Sequence, residues 1–309
     1  MLRQVLCKRS YSIKTVGVCG VGLLGHGIAQ TAAENGYKVV LYDSNEQALE
    51  RGYQMIQKSL TKVAEKQAAK KLIPSAPEFV SSVMGRISKS PSLELKEFAK
   101  TQELDLVIEA IVENVDIKRS FYSTLGQFAP QRTILASNTS SLSIQTLAEA
   151  SGRPKQVVGL HFFNPVQLMQ LVEVISLKDT DSKVTEAVTE YIKTCKKTPV
   201  PCADTPGFIV NRLLVPYLME AMALVERGDA TIEAVDAAMK LGAGHPMGPI
   251  YLADYIGLDT CLSIIKGWQQ NDKTGRFFVP KNLERLVAEG KLGRKSGEGF
   301  YGKAVWGGK

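Results

Sequence analysis

The chain has 309 residues, of which 44% are hydrophobic and 22% are charged. These proportions indicate a globular protein of about two domains and exclude a disordered or fibrous chain. No run of about 18 uninterrupted apolar residues is present, because the most apolar stretch, residues 208–225, contains Asn211, Arg212, Pro216 and Glu220. The sequence therefore predicts no integral membrane association.

The formal net charge is +7, from 38 Lys and Arg against 31 Asp and Glu. A basic surplus can indicate a nucleic-acid partner, but four of the positive charges lie in the first fourteen residues, which leaves +3 for the remainder. We therefore expect no nucleic-acid partner. The five cysteines are odd in number and show no metal-ligand spacing, so we expect free thiols in a reducing compartment and no metal site.

Residues 1–14 form a distinct leader. They contain four basic residues, two serines and no acid, and the first acid of the chain is Glu34. This composition is typical of a mitochondrial transit peptide, and the apolar core of a secretory signal is missing. A short disordered basic tail is the alternative interpretation.

From Thr15 onward, short runs of β-branched residues alternate with helical stretches, as expected for a parallel sheet built from βαβ units. The predicted strands are Thr15–Cys19, Lys38–Tyr42, Leu104–Ala110, Thr133–Ser137, Gln156–Leu160 and Leu171–Ile175. A long helix is predicted from about Asn45 to Leu72, with Ser44 and Gln47 as a capping box. At about 1.5 Å per residue it spans roughly 40 Å and should project beyond the sheet.

After Pro206 and Gly207 the pattern becomes helical, with predicted helices at Phe208–Glu226, Ile232–Lys240, Ile250–Gln270 and Lys281–Ala288. The sequence thus predicts an α/β fold, a Rossmann-like doubly wound sheet with a projecting long helix, followed by an all-α C-terminal domain. The expected division is a leader at 1–14, the sheet domain at 15–205 and the helical domain at 206–309.

The first strand runs into Gly20-Val-Gly22-Leu23-Leu24-Gly25, a G-x-G-x-x-G pattern. The first glycine of such a loop permits a tight turn, the second lets the backbone approach a pyrophosphate, and the third lets the helix pack on the strand. The helix that follows, to about Asn35, directs free N–H groups at the phosphates. Alone, the pattern is weak, and an ordinary glycine-rich turn is the alternative.

Asp43 adds context to this loop. It ends the second predicted strand, 23 residues after Gly20, where an acid hydrogen-bonds the adenosine ribose of a bound dinucleotide. Its charge would repel a 2′-phosphate, and Ser44 and Asn45 provide no arginine to receive one. The sequence therefore predicts NAD as the cofactor, in preference to NADP.

A dehydrogenase acting on an alcohol needs a base, and histidine suits this role near neutral pH. His26 follows the glycine loop and His245 lies in a Gly-His-Pro turn, so we interpret both as structural. His161 ends a strand, at the sheet edge where ligands bind. Glu173, in the apolar run Leu171–Ile175, needs a partner if buried and could hold the imidazole. The alternative interpretation is a core histidine and an edge-strand glutamate that are not in contact.

Polar residues could complete a site around this histidine. Residues 137–141, Ser-Asn-Thr-Ser-Ser, follow a predicted strand, and Asn211 lies early in a predicted helix. Such donors could hold a substrate oxygen as it becomes a carbonyl. A helix cap and a solvated asparagine are the simpler interpretations of each group taken alone.

Seven motifs occur in order along the chain, and together they resemble the L-3-hydroxyacyl-CoA dehydrogenase family, single-function mitochondrial type. The resemblance extends from Thr15 to Tyr301. The motifs are GVGLLG at 20–25, EAIVEN at 109–114, SNTSS at 137–141, HFFNP at 161–165, DTPGFIVNR at 204–212, GAGHPMGP at 242–249 and RKSGEGFY at 294–301.

The resemblance implies a set of roles. His161 corresponds to the family's general base and Glu173 to its partner carboxylate. Ser140, Asn164 and Asn211 correspond to residues around the substrate's hydroxyl and thioester end or the nicotinamide. The cofactor contacts would be Gly20, Gly22, Leu23, Leu24, Gly25, Asp43, Glu113, Lys118, Ser140, Asn164 and Lys295, and the coenzyme A contacts Ser59, Lys66 and Ser140.

The resemblance also implies an acyl-CoA substrate, a role in fatty-acid β-oxidation in the mitochondrial matrix, and a homodimer formed through the helical domain, which closes over the cleft. Lys58, Lys62, Lys66 and Lys70 recur every four residues and could bind coenzyme A phosphates, although such a stripe is more often a solvated face. Val21 and His26 depart from the smaller residues expected in relatives, and the tail from Gly302 to Lys309 has no counterpart.

Two other functions stay open at the sequence level. One is a β-hydroxyacid dehydrogenase acting on a free acid, a class that uses a lysine base. The other is a non-catalytic NAD-binding protein that keeps the fold. The His161–Glu173 pair that the resemblance implies argues against the first, and the presence of His161, Glu173, Ser140 and Asn211 argues against the second.

Overall fold

The computed structural model describes residues 11–101, 103–270, 272 and 274–307. Residues 1–10 of the predicted leader therefore lie outside the described residues. The chain divides into two compact units, Met1–Phe208 and Ile209–Lys309. No helix in the described part of the chain is long and apolar enough to cross a membrane.

The first unit is built on one sheet with the strand order β3-β2-β1-β4-β5-β6-β7-β8. Its strands are β1 Thr15–Cys19, β2 Lys38–Tyr42, β3 Ile87–Lys89, β4 Leu106–Glu109, β5 Ile134–Ser137, β6 Val157–Phe162, β7 Leu171–Ser176 and β8 Thr198–Ala203. The six predicted strands are all present and differ only at their ends. The predicted Rossmann-like fold is confirmed.

Two strands were not predicted. β3 has only three residues, which is too short for a visible alternation. β8 contains Pro199 and Pro201, and proline ordinarily argues against a strand. Proline is tolerated here because β8 is the edge strand, where the missing N–H costs no ladder hydrogen bond.

One strand pair breaks the expected parallel pattern. β6 and β7 are antiparallel, whereas the other neighbours in the sheet are parallel. The link between them, residues 163–170, contains no helix and is too short for the crossover of a dozen or more residues that a parallel pair needs. As a result, His161 and Glu173 are direct cross-strand partners.

Helices cover both faces of the sheet. The helices on one face share a core that includes Ile28, Leu60 and Val188, and those on the other share a core that includes Phe98, Tyr122 and Leu147. The first group is α1 Gly25–Glu34, α2 Glu46–Ala69, α3 Ala76–Met84 and α7 Ser182–Thr194; the second is α4 Leu95–Ala99, α5 Val115–Phe128 and α6 Ile144–Ser151.

The N-cap of the long helix α2 lies one residue later than predicted. Asn45, not Ser44, is the N-cap: its backbone is extended and its side chain accepts a hydrogen bond from Ala48 N. Asparagine and serine are both good caps, so the sequence alone did not separate them. The helix ends at Ala69 rather than Leu72, because Lys71 takes a positive φ of 57°.

The second unit is helical, with α8 Val210–Glu226, α9 Ile232–Gly242, α10 Pro249–Ile256, α11 Leu258–Gln269, α12 Lys281–Ala288 and α13 Gly302–Trp306. The single helix predicted at Ile250–Gln270 is two helices, because Gly257 adopts φ 109° between them. Residues 302–307 of the tail form α13 and a turn. In this part Trp306 is 1% exposed, its ring lies 4.8 Å from that of Tyr251, and it donates to Asp254.

Candidate active site

The glycine loop joins β1 to α1. Gly20 has φ +85°, and a Cβ there would lie 2.5 Å from the Ala110 carbonyl oxygen, so only glycine fits. A Cβ on Gly25 would collide with the Gly20 carbonyl oxygen, whereas a Cβ on Gly22 would meet nothing within 4 Å. This geometry agrees with the predicted roles: Gly20 makes a tight turn, Gly22 leaves space for a pyrophosphate to approach the backbone, and Gly25 lets the helix pack closely on the strand.

The first turn of α1 is suited to an anion. It has no side-chain cap at Leu24 and no acidic residue, so its N–H groups and positive dipole end are not neutralised by the protein. Leu23 is exposed beside it. These observations fit a dinucleotide pyrophosphate. His26 Nδ1 lies 2.8 Å from the Gly22 carbonyl oxygen, which is the structural position expected for a first-turn residue.

Asp43 follows β2 and is attached to the loop. Its Oδ2 accepts from Val21 N at 3.1 Å and its Oδ1 accepts from Asn45 N at 3.0 Å. The side chain is half-buried. Asp43 therefore holds the glycine loop in place, a contribution that the sequence did not reveal, in addition to its predicted contact with a ribose.

His161 and Glu173 form a buried pair. His161 Nδ1 lies 2.7 Å from Glu173 Oε2, and the two residues are 5% and 0% exposed. Because a carboxylate can only accept here, Nδ1 carries the imidazole proton and Nε2 is the basic nitrogen. Asn138 Oδ1 accepts from Phe162 N at 2.8 Å, and the rings of Phe163 and Phe208 lie 4.4 and 5.5 Å from the imidazole. The structure thus brings together the two side chains whose pairing the sequence left open.

Glu113 organises the polar turn after β5. Its Oε1 accepts from Thr139 Oγ1 at 2.5 Å, Ser140 N at 3.0 Å and Ser141 Oγ at 3.1 Å. Burial alone would raise the pKa of Glu113, but Lys118 and these donors outweigh it and lower the pKa. Ser140, one of the predicted site residues, is therefore positioned by Glu113.

Lys118 lies beneath this turn. Its ammonium is 2.7 Å from Glu113 Oε2 and 2.9 Å from Glu109 Oε1, and the residue is 1% exposed. The lysine is thus held by two carboxylates, and its contact with a cofactor stays a prediction. The sequence analysis did not select Glu109, although Glu109 shows the same signal as Glu173: a carboxylate in an otherwise apolar strand.

Asn164 lies in the link between β6 and β7, before a cis peptide bond to Pro165, and is exposed. The same link contacts α1, where Gln167 Nε2 donates to Gln30 Oε1 at 3.0 Å. Lys197 donates to the carbonyl oxygens of Val166 and Met169 at 2.5 and 2.7 Å. Burial lowers the pKa of Lys197. No pattern in the sequence indicated Gln30 or Lys197.

The predicted coenzyme A contacts lie on α2. Lys66 is exposed and Ser59 is half-buried, and their spacing of seven residues places them on one side of the helix. Lys58 and Lys62 are exposed as well, whereas Lys70 lies beyond the helix as its C-cap. The basic stripe and its contact with coenzyme A phosphates stay predictions.

The remaining predicted residues belong to the second unit. Asn211 lies in the first turn of α8, and Lys295 lies in the turn 294–296, paired with Asp259. His245 Nδ1 is 3.3 Å from the hydroxyl of Tyr217, and its structural role stays a prediction. No group of three or more potential metal ligands occurs among the residues that the structure describes.

A phosphate-binding glycine loop, an acid at the end of the second strand and a buried histidine–carboxylate pair define an NAD-dependent dehydrogenase with a Rossmann-type fold. Residues 15–205 match the family model of the 3-hydroxyacyl-CoA dehydrogenase NAD-binding domain, and residues 207–303 match that of the C-terminal domain. The chain belongs to the 3-hydroxyacyl-CoA dehydrogenase family, and the predictions of the family and of NAD as the cofactor are confirmed.

Individual relatives agree with this assignment. The chain is 51% identical to the mitochondrial hydroxyacyl-coenzyme A dehydrogenase of Sus scrofa, over 94% of this chain and 91% of that one. It is 49% identical to a probable 3-hydroxybutyryl-CoA dehydrogenase of Deinococcus radiodurans, over 92% and 98%. The crystal structure of (S)-3-hydroxybutyryl-CoA dehydrogenase from Ralstonia eutropha superposes with a TM-score of 0.86 at 38% identity, covering 94% and 99%.

Proposed function

We propose that His161 is the general base of an NAD-dependent oxidation of L-3-hydroxyacyl-CoA to 3-ketoacyl-CoA. The observation that carries the proposal is the buried contact of 2.7 Å between His161 and Glu173. Bound NAD supplies the two-electron acceptor. Nε2 of His161 takes the proton of the substrate hydroxyl, and Glu173 stabilises the imidazolium that forms.

The residues around this pair support the same reaction. Glu113 accepts from the backbone N–H of Ser140 at 3.0 Å, which fixes the position of Ser140. The Ser140 hydroxyl, 3.4 Å from the same carboxylate, would turn its proton from Glu113 to the substrate oxygen. Asn164 extends from the strand that carries His161. Asn211 and Lys295 are assigned to substrate and cofactor through the resemblance alone, as are Ser59 and Lys66 to coenzyme A.

Replacing His161 tests the proposal. His161→Gln should lower kcat by about two to four orders of magnitude and leave the Kd for NADH within about twofold, because the glycine loop is untouched. Glu173→Gln keeps a hydrogen-bonding group but loses the charge, and should lower kcat similarly. NADH-coupled rates with acetoacetyl-CoA, together with calorimetric titration of NADH, measure both quantities. Unchanged turnover in His161→Gln would remove His161 from this role.

The free-acid alternative is tested with the same assay. The wild-type protein should oxidise NADH with acetoacetyl-CoA and not with free acetoacetate at equal concentration. The reverse preference would favour a β-hydroxyacid dehydrogenase, and inactivity with both would favour a non-catalytic NAD-binding protein. Rates with C4 to C16 3-ketoacyl-CoA substrates would then give the preferred chain length.

The cellular role follows the relatives. We propose that the enzyme acts in fatty-acid β-oxidation in the mitochondrial matrix; the basic leader and the mitochondrial relatives support this proposal. Two fusions to a fluorescent protein, one of residues 1–14 and one of a longer N-terminal segment, test import.

We also propose a homodimer formed by the second unit. Its exposed apolar side chains Leu213, Leu241 and Tyr255 support this proposal, and light scattering after gel filtration measures the mass.

A further inference from the structure

The buried side chains of Glu109 and Lys118 form an ionic triad with Glu113, whose side chain is 37% exposed. The Lys118 ammonium contacts both carboxylates, and Glu109 is 0% exposed. Glu109 also accepts from Ser137 Oγ at 2.7 Å and from Ile111 N at 2.9 Å, which are bonds that stabilise an ionised carboxylate. Two negative charges and one positive charge leave the triad with a net charge of −1.

The triad lies next to the residues of the candidate active site. Glu109 is the register partner of Cys19, the last residue before the glycine loop, and of Ser137, the last residue of β5. Gly20 packs against the backbone of Ala110. Along β4 and β6, Ile108 and Leu160 enter one core, so Glu109 and His161 alternate to the other face of the sheet together.

The charge of Glu109 already affects a neighbouring group. Burial in the first place, and then the charges of Glu109 and Asp43, raise the pKa of the Cys19 thiol. A group between β1 and β4 at this edge of the sheet therefore experiences a negative potential. Glu173 adds a second buried carboxylate on the same face.

We propose that Glu109 is a positioning residue whose negative charge favours the oxidised over the reduced cofactor. This inference rests on the proposed function. The nicotinamide ring is cationic in NAD+ and neutral in NADH, whereas the rest of the dinucleotide has the same charge in both. A buried negative charge near the ring would therefore strengthen the binding of NAD+ relative to NADH, and lower the reduction potential of the bound cofactor.

The decisive quantity is the ratio of the Kd for NAD+ to the Kd for NADH, because a structural defect that weakens both forms cancels in it. One unit charge about 10 Å away, at an effective dielectric constant of about 20, changes such a ratio by roughly tenfold. Glu109→Gln should raise the ratio about three- to tenfold in calorimetric titrations. A tenfold change raises the two-electron potential of the bound cofactor by about 30 mV.

Three control variants separate charge from packing. Glu109→Asp keeps the charge and should keep the ratio. The double variant Glu109→Gln/Lys118→Met restores a net charge of −1 and should return the ratio towards the wild-type value, although it changes more of the buried contacts. Asp105→Asn removes a carboxylate just before β4, at the opposite end of that strand, and should leave the ratio unchanged.

An unchanged ratio in folded Glu109→Gln would overturn the inference, as would a double variant that departs further from the wild type than the single one. If Glu109→Gln does not fold, the double variant is compared with the single variant Lys118→Met, because the two differ only by the Glu109 charge. Equal ratios of the Kd for NAD+ to the Kd for NADH in these two variants would again contradict the inference. Failure of the wild-type protein to bind either form of NAD would instead contradict the proposed function.

Discussion

At the scale of single residues, the site depends on carboxylates that the protein compensates with charged or hydrogen-bonding partners; Glu173 and Glu109 are buried, whereas the Glu113 side chain is 37% exposed. Glu173 contacts His161, and Glu109 contacts Lys118. Glu113 also contacts Lys118 and accepts hydrogen bonds from the turn at residues 139–141. Each carboxylate fixes a different group: the base, the ammonium and Ser140. Removing Glu173 leaves His161 without its carboxylate, and removing Glu109 leaves the buried Lys118 with only the partly exposed Glu113, so either loss costs more than the contact itself contributes.

Glu113 gives the protein a specific acid sensitivity. Its folded-state pKa lies below the ordinary value of 4.5, so its contribution to stability is complete above that value and is lost as the pH falls through the lower, folded-state pKa. Glu113→Gln should therefore destabilise the protein at pH 7 and progressively less as the pH falls below 4.5. Urea unfolding at pH 7, 5 and 4 measures the difference in unfolding free energy between the wild type and Glu113→Gln. A difference that does not change with pH would contradict this prediction.

The sequence indicated much of this site and missed part of it for identifiable reasons. A glutamate inside an apolar strand predicted a buried partner, and His161 was a candidate. The antiparallel register that makes them partners depends on the short link 163–170, which strand patterns do not encode. The pairing of Lys118 with Glu109 joins a helix to a strand end, and no periodicity relates the two positions.

At the scale of elements, the link between β6 and β7 connects the strand that carries His161 to the helix that follows the glycine loop. Val166 packs against Gly27 of α1, where a Cβ would approach the Val166 Cβ to 2.8 Å, and Gln167 contacts the buried Gln30. Lys197 fixes the link from the other side through two carbonyl groups. The helix that begins at the glycine loop and the strand that carries His161 are therefore held in one arrangement.

Lys197→Met should weaken this arrangement. It leaves two carbonyl groups without their donor, which costs about 1–3 kcal/mol of unfolding free energy, and it should raise the KM for NAD more than it lowers kcat. Lys193→Met is the matched control, since Lys193 is exposed on α7, and should change stability by less than about 0.5 kcal/mol. Urea unfolding and initial rates test both; equal effects of the two variants would contradict the role of Lys197.

Element boundaries show where local patterns reach their limit. The glycine motif and the first two strands were predicted to the residue, because turn chemistry and β-branched runs coincide there. The predicted cap of α2, Ser44, was wrong, because Ser44 and Asn45 are both good caps. The prediction of a single helix where the structure has α10 and α11 was also wrong, because a single glycine does not by itself end a helix. β8 was missed because its prolines are acceptable only at an edge, and the edge is a property of the whole sheet.

At the scale of the whole molecule, the two units are stabilised differently. The first has a core on each face of its sheet. The second has one helical core and a buried Asp254 that accepts from Phe300 N, Tyr301 N and Trp306 Nε1 at 2.9, 3.0 and 2.9 Å. Burial raises the pKa of Asp254 despite these donors. The tail beyond the family resemblance is thus part of the second unit's packing.

Trp306→Ala should destabilise the second unit by about 3–5 kcal/mol, because it removes a large buried side chain and a donor to a buried carboxylate. Trp306→Phe keeps most of the ring and should cost less. Lys303→Ala, in the same helix and 80% exposed, should have almost no effect. Scanning calorimetry measures the three variants, and a native-like transition in Trp306→Ala would show that the tail is dispensable.

The position of Trp306 has one more consequence. The chain contains two tryptophans, Trp268 and Trp306, and both lie in the second unit. Intrinsic indole emission therefore monitors the helical unit alone, whereas far-ultraviolet circular dichroism monitors both. Two denaturation curves recorded on one sample would reveal whether the halves of the molecule melt together or in sequence, with no label attached.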